Sequence, residues 1–242
     1  MPTLFLTPRY TEDGQALWKA AAASGWRTER LTQWRIPEHL RDVEAPVLYA
    51  EALFAPILAE QLGLTLASPP EDWLPALPYE YRLRDIALTS LREARANPDP
   101  AFVKPPNDKS FPAAVYRGVD LPADFDETMT VLVAEPVTWR IEFRCFVQGR
   151  EVKTYSVYSR YGELQRDAGF ASNPEEDREL LAFMARLLDD SRVALPNATV
   201  IDAGFIEGRG WACVEQNAAW GAGLYACDAR AALGVIAAAS QR

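Results

Sequence analysis

Four prolines fall within residues 68–78, at positions 69, 70, 75 and 78. Proline removes a backbone donor and fixes φ, so neither a long helix nor a central strand can run through such a stretch. The chain therefore divides there, and the two sides carry different patterns. Before it, short apolar runs alternate with helical periodicity. Residues 3–6 read as a strand. A helix starts at Thr11-Glu12-Asp13, with its acids near the positive end of the helix dipole, and stops at Gly25. Strands over 26–31 and 46–49, a helix over 52–62 ending at Gly63, and a strand over 64–67 follow. This alternation predicts a small parallel sheet covered by helices. Neither GxGxxG nor GxxxxGK[ST] follows the first strand, so the unit is not expected to bind a nucleotide by itself.

After the prolines, residues 79–96 read as one long helix with Leu83, Ile86, Ala87 and Leu91 on its apolar face, closed by Asn97-Pro98. Strands are expected over 102–104 and 113–117. From residue 130 the pattern becomes β-rich, with strands over 130–134, 140–147 and 152–158 and a turn at Gln148-Gly149-Arg150. A helix over 175–188, with Pro174 in its first turn, precedes a second hairpin, 198–205 and 210–215, that turns at Glu207-Gly208. A closing helix spans 229–239. The expected units are 1–74, 75–129 and 130–242.

Composition excludes several classes of function. The net charge is −9 and the basic residues are scattered, which does not suit a nucleic-acid surface. Cys145, Cys213 and Cys227 form no CxxC pair, so neither a disulfide framework nor a zinc site is expected. His39 is the one histidine and sits in a polar stretch, which argues against Ser-His-Asp or Cys-His catalysis. No run reaches the roughly 18 apolar residues of a membrane span, and residues 3–6 are too short for a signal segment. A cytoplasmic protein without a membrane partner is the expectation.

Three segments could carry chemistry. Asp202 lies near the end of one strand of the second hairpin, and Glu215 and Asn217 lie at the end of the other. If the hairpin turns at 207–208, three oxygen donors converge, which suits a magnesium ion; ordinary polar residues beside a turn are the plainer reading. Lys104 tips an apolar strand at a proline-rich exit, with Lys109 five residues on. Either could meet a phosphate, but alone each reads better as a solvated surface lysine. A strand ending at Glu135-Pro136-Val137 leaves main-chain groups free at a hinge, and Glu142 and Arg144 share one face of the next strand.

Taken in order, a lysine-tipped strand, a Glu-Pro hinge, a Glu-x-Arg strand and Asp…Glu-x-Asn resemble the ATP-grasp superfamily, over about residues 78–225. The likeness is to the clade named for one arginine and two lysines. The resemblance implies an α+β ATP-grasp fold, two α+β subdomains enclosing the nucleotide, preceded by a small α/β domain. It implies ATP and Mg2+ as cofactors and a ligase that joins a carboxylate to an amine or thiol through an acyl phosphate. A phosphotransferase on the same fold and a nucleotide-binding module without turnover are the alternatives. By the same resemblance Arg84, or Arg82, is the clade arginine. Lys104 would meet the α and β phosphates, and Lys109 would lie on the loop covering them. The backbone of Glu135, Pro136 and Val137 would read adenine, and Glu142 would lie by the ribose. Arg144 would face the γ-phosphate, and Asp202, Glu215 and Asn217 would hold the metal. The substrates would be a small-molecule or peptide carboxylate and an amine, with Tyr158, Arg160, Tyr161 and residues 220–225 on the substrate side. The sequence departs from the family in one respect: residues 107–115, where a glycine-rich loop is expected, contain no glycine.

Overall fold

Thr11 explains the first helix: its hydroxyl accepts from the Gly14 amide, and Glu12 and Asp13 fill the first turn. The computed structural model, which describes residues 1–107 and 109–241, places this helix, α1 (Glu12–Ala23), after β1 (Pro2–Leu6). Then come β2 (Arg27–Arg30), β3 (Ala45–Tyr49), and α2 (Ala55–Leu62), which ends at Gly63 in the left-handed region. The three strands form a parallel sheet in the order β2-β1-β3, as the alternation predicts. The strand expected over 64–67 does not join it. Only Thr65–Leu66, β4, is extended, and it pairs antiparallel with β14 (Ser240–Gln241) at the far end of the chain. Pro69 and Pro70, which cannot donate to a ladder, cut it short.

The long helix expected over 79–96 is not formed. Short helices α3 (Trp73–Ala76) and α4 (Tyr79–Arg82) lead to Leu83 at φ +46°, and a strand, β5 (Ile86–Ser90), follows. Helix resumes only as α5 (Leu91–Ala96). Two causes act together. Ser90 and Glu93 form a reciprocal capping box that starts α5, a signal present in the sequence as Ser-x-x-Glu. Residues 86–90 also pair in full register with β8 (Thr130–Ala134), so sheet pairing overrides the helical spacing. With β6 (Ala101–Lys104) and β7 (Ala114–Tyr116) they make an antiparallel sheet in the order β5-β8-β6-β7.

The largest sheet is built from β9 (Trp139–Gln148), β10 (Glu151–Arg160), β11 (Glu163–Leu164), β12 (Ala198–Ile206) and β13 (Gly210–Asn217). Its order is β11-β10-β9-β12-β13, antiparallel throughout. Both hairpins turn where the sequence predicts, with Gly149 and Gly208 at positive φ. Helix α6 (Pro174–Asp189) is capped by Asn173 and buries Leu180, Phe183, Met184 and Leu187 in the apolar cluster beneath this sheet. Helix α7 (Ala229–Ala238) turns away from that cluster. Leu233, Val235 and Ile236 join Leu4, Phe5, Leu48 and Leu58 in the core of the parallel sheet. A third cluster, around Leu91, Val103, Phe111 and Val131, lies by the four-stranded sheet.

Gly204 shows how tightly β12 is packed. A Cβ there would lie 2.6 Å from the Ile141 carbonyl and 2.8 Å from the Trp139 ring. Backbone cannot yield as a flexible side chain can, so overpacking of this kind costs about 1–3 kcal/mol. Gly204→Ala is expected to lower the urea midpoint by that amount of stability with an unchanged m-value; an unchanged midpoint would contradict this packing.

Candidate functional site

Three neighbouring strands put polar side chains on one face of the large sheet. Arg144 of β9 lies opposite Asp202 of β12, and Asp202 lies opposite Glu215 of β13. Asn217, two residues on, shares the Glu215 face. Asp202 sits in the middle of β12, not near its end as expected from the sequence, and the acids meet because all three strands are in register there. One irregularity aims them. Asp202 pairs with Glu215 but Ala203 pairs with Cys213, so Val214 is the extra residue of a β-bulge next to the site.

Arg84 holds that bulge. Its Nη1 donates to the Cys213 carbonyl at 2.8 Å and its Nη2 to the Val214 carbonyl at 3.1 Å. Nη1 also reaches the Arg82 carbonyl at 2.9 Å, and the guanidinium lies 4.8 Å from the Trp139 ring centre. Burial lowers its pKa to about 10. β13 is the last strand in its sheet order, so these bonds serve carbonyls at an edge.

The cluster is dense in charge. Arg144 forks onto Asp202, Nε to Oδ1 at 2.9 Å and Nη2 to Oδ2 at 2.6 Å. Asp202 is completely buried. Asn217 Nδ2 donates to Asp202 at 3.2 Å and to Glu215 at 2.9 Å, and Lys104 Nζ donates to the other Glu215 oxygen. Burial pushes the Asp202 carboxyl up to about 6, against the pull of Arg144. Burial also acts to raise Glu215, but Lys104, Asn217 and Arg144 outweigh it and hold that carboxyl at about 2. Glu142, on the same β9 face, accepts from the Tyr158 hydroxyl at 2.8 Å, and burial raises its pKa.

A loop from the end of the chain closes one side. Arg144 Nη1 donates to the Gly223 carbonyl at 3.1 Å, and its guanidinium lies 4.8 Å from the Tyr225 ring centre and 5.6 Å from that of Tyr158. The two rings are stacked, 5.3 Å apart. Tyr225 and Ala226 both adopt positive φ, 46° and 61°, a costly conformation for non-glycine residues that clusters at functional sites. The parallel sheet pins the same loop: Tyr49 donates to the Ala222 carbonyl at 3.1 Å, and Leu224 N–H donates to Asp13 at 3.1 Å. Neither Asp13 nor Tyr49 belongs to a motif in the sequence; only the folded chain brings them here.

The other expected site residues have contacts or surroundings of their own. Lys109 is exposed on the loop between β6 and β7, whose Phe111 is buried against Phe125 and Tyr116. Glu135 pairs through its carboxylate with Arg209, whose bonds hold it at about 2, and its amide donates to the Asp85 carbonyl at 2.9 Å. Its own carbonyl, that of Pro136 and the Val137 amide remain as the main-chain groups of the hinge. Arg82 bonds the carbonyls of Leu77 and Arg84. Arg160 forks onto Glu176 of α6 at 2.6 and 2.9 Å, and Tyr161 is exposed. His39 is exposed, as its polar surroundings predict.

The donor set at the centre is oxygen only. It comprises the carboxylates of Asp202 and Glu215 and, once the side chain turns over from the orientation in which its Nδ2 donates to both, the amide oxygen of Asn217, a hard set of the kind magnesium takes. Cys145 and Cys213 lie in the apolar cluster that α6 joins. Among the described residues no group of three or more His, Cys, Asp or Glu could hold a metal. A cation here would draw its remaining ligands from a substrate or water, which is magnesium's habit.

A family model for the ATP-grasp domain, that of family 2 in the clade named for one arginine and two lysines, matches residues 81–235. Among solved structures, the chain is similar to a RimK domain protein ATP-grasp from Sphaerobacter thermophilus: 17% identity, TM-score 0.57, covering 99% of this chain and 97% of that one. It is similar to D-cycloserine synthetase DcsG at 14% identity and TM-score 0.64, with 98% of each chain covered. A D-alanine–D-alanine ligase from Bacillus anthracis, complexed with ATP, matches at 12% identity and TM-score 0.52, over 90% of this chain and 84% of that one. At such identities the likeness is one of fold. No curated protein sequence matches the chain.

Removing Arg144 leaves Asp202 buried without its partner, at a cost of about 3–5 kcal/mol. In Arg144→Ala the folded state holds Asp202 protonated more readily than the unfolded chain does. A folded state that binds the extra proton loses stability as pH rises, so the deficit against the parent protein should be smaller at about pH 5 than at about pH 8. Denaturant melts at both values check this, and a deficit independent of pH would contradict the account.

Proposed function

Because the chain belongs to the ATP-grasp domain family, in family 2 of the clade named for one arginine and two lysines, we propose that it is a Mg-ATP-dependent ligase joining a carboxylate to an amine or thiol through an acyl phosphate. The observation that carries the proposal is the meeting of Lys104, at the end of a strand of the four-stranded sheet, with Arg144, Asp202, Glu215 and Asn217 on one face of the large sheet. Asp202, Glu215 and Asn217 would hold magnesium, which when bound screens phosphate charge. Lys104, which lies on Glu215, would change partner to the phosphates. Lys109 would bring a second ammonium from the loop. The hinge carbonyls and the Val137 amide would face the adenine edge, with Glu142 toward the ribose.

The bonds of the two arginines support different roles for them. Every donor of Arg144 seen to be engaged serves Asp202 or Gly223, so it would orient the carboxylate and the 221–225 loop and lend positive potential to the reacting centre. Arg84 would act from further back, through the bulge that aims Glu215 and Asn217. In the reaction, a substrate carboxylate oxygen attacks the γ-phosphorus and ADP leaves. The amine then attacks the acyl carbon, phosphate leaves, and the amine gives up a proton. No side chain is acylated, so the chemistry rests on positioning and charge neutralisation.

One feature favours a second reading, a nucleotide-binding module without turnover. The loop at 105–113 has three prolines and no glycine, and its Phe111 is buried, so it is poorly suited to fold over phosphates. Calorimetry with Mg-ATP and assay of ADP release against panels of carboxylates and amines separate the two. Ligation yields ADP, phosphate and a coupled product. A phosphotransferase yields ADP and a phosphorylated product, and a module binds without ADP release. For the ligase, Glu215→Ala is expected to fold normally and to lose about a hundredfold to a thousandfold in ADP formation, equivalent to roughly 3–4 kcal/mol of barrier. Wild-type turnover in that variant would remove Glu215 from the metal site.

A further inference from the structure

Every carboxylate oxygen in the central cluster already has a donor from the chain itself. Asp202 Oδ1 takes Arg144 Nε at 2.9 Å, and Oδ2 takes Arg144 Nη2 at 2.6 Å and Asn217 Nδ2 at 3.2 Å. Glu215 Oε1 takes Asn217 Nδ2 at 2.9 Å and lies 4.0 Å from Arg144 Nη2, while Oε2 takes Lys104 Nζ. The charges also balance, because these two carboxylates face one ammonium and one guanidinium. Among the described residues no third His, Cys, Asp or Glu joins them in a group able to hold a metal. Glu142, on the same face, is taken up by the Tyr158 hydroxyl.

A divalent cation entering this cluster alone meets two obstacles. It must take oxygens from the donors that hold them, and it leaves positive charge uncompensated in a partly buried place, where water screens it poorly. The donors differ in how readily they give way. Arg144 is forked on Asp202, bonded to the Gly223 carbonyl and set against the rings of Tyr158 and Tyr225, so it is fixed. Asn217 needs only to turn its amide over. Lys104 ends β6, and among the described residues its ammonium bonds Glu215 alone. A lysine is a point charge on a flexible stem, free to follow a stronger anion. A polyphosphate is such an anion. It would draw Lys104 off Glu215, offer the ion further oxygens and compensate its charge.

We propose that Lys104, with Asn217, makes the acid pair selective: it rejects a bare divalent cation and accepts one together with a polyphosphate. This selectivity rests on the metal site of the ligase reading above and adds a linkage to it. The ion and the phosphates bind as one event, each strengthening the other by the same factor. A nucleoside without phosphates leaves Lys104 on Glu215 and the ion outside.

Titration with Mn2+, followed by electron paramagnetic resonance, reads the ion without any turnover. In the absence of nucleotide, Lys104→Met and Lys104→Gln should each bind Mn2+ about tenfold or more tightly than the parent protein, since a charged donor no longer competes for Glu215. Adding Glu215→Gln to Lys104→Met should remove that gain, which places the ion on Glu215. Saturating ADP should tighten Mn2+ binding in the parent by about tenfold more than in the Lys104 variants, and adenosine should not tighten it at all. Circular dichroism melts confirm that the variants fold. Equal Mn2+ affinity in the parent and both Lys104 variants, absence of binding included, overturns the proposal. So does a gain that survives Glu215→Gln, a tightening by adenosine, or an equal effect of ADP in proteins that all bind it. If ADP with Mn2+ fails to bind the parent, the ligase reading falls instead, and the nucleotide-free comparison still decides the role of Lys104.

Discussion

A buried ion pair organises the centre of this molecule. Asp202 has no contact with solvent, yet it sits in the middle of a core strand, where an unpaired carboxylate would be very costly. Arg144 matches both of its oxygens and uses its remaining nitrogen on the Gly223 carbonyl. Such a pair contributes little net stability compared with an apolar replacement, and here its effect is on geometry. It locks the facing positions of β9 and β12 and ties the 221–225 loop to the sheet. Through Tyr49 and Asp13 that loop is also tied to the N-terminal strands. A single guanidinium thus links the oxygen-donor cluster, through the 221–225 loop, to the N-terminal strands.

The loop that ties the cluster to the N-terminal strands is built under strain. Two successive non-glycine residues, Tyr225 and Ala226, are held at positive φ by the stacking of Tyr225 on Tyr158 and by the Arg144 contact. Because conformations of this kind persist only where their surroundings dictate them, the loop is defined by both of the units it touches.

The sequence was a good guide to elements whose signals are local. Thr11 with its following acids, the glycines of both hairpin turns, and Pro174 behind the Asn173 cap all act within one turn of chain, and the structure agrees with each. The convergence of Asp202, Glu215 and Asn217 was partly legible, because hairpin pairing follows from the pattern, although Asp202 sits mid-strand; Lys104 reaches Glu215 from a different sheet, which no local pattern gives. What could not be read depends on distant partners. Residues 86–90 carry helical spacing and become a strand because β8 lies beside them. The Val214 bulge, and Arg84 resting on its carbonyls, have no signature before the sheet closes. Asp13 looks like an ordinary first-turn acid until Leu224 arrives from more than two hundred residues away.

The return of the chain end has a consequence for biosynthesis. Leu233, Val235 and Ile236 complete the apolar core around Leu4, Phe5 and Leu48, and Ser240 and Gln241 supply the strand opposite Thr65–Leu66. While the polypeptide is still being translated, its N-terminal strands and helices have no lid over their greasy side. That region cannot mature vectorially from the amino terminus, as domains often do on the ribosome. It must wait as a nascent, adhesive intermediate until α7 clears the exit tunnel, the stage at which a chaperone would find most to hold.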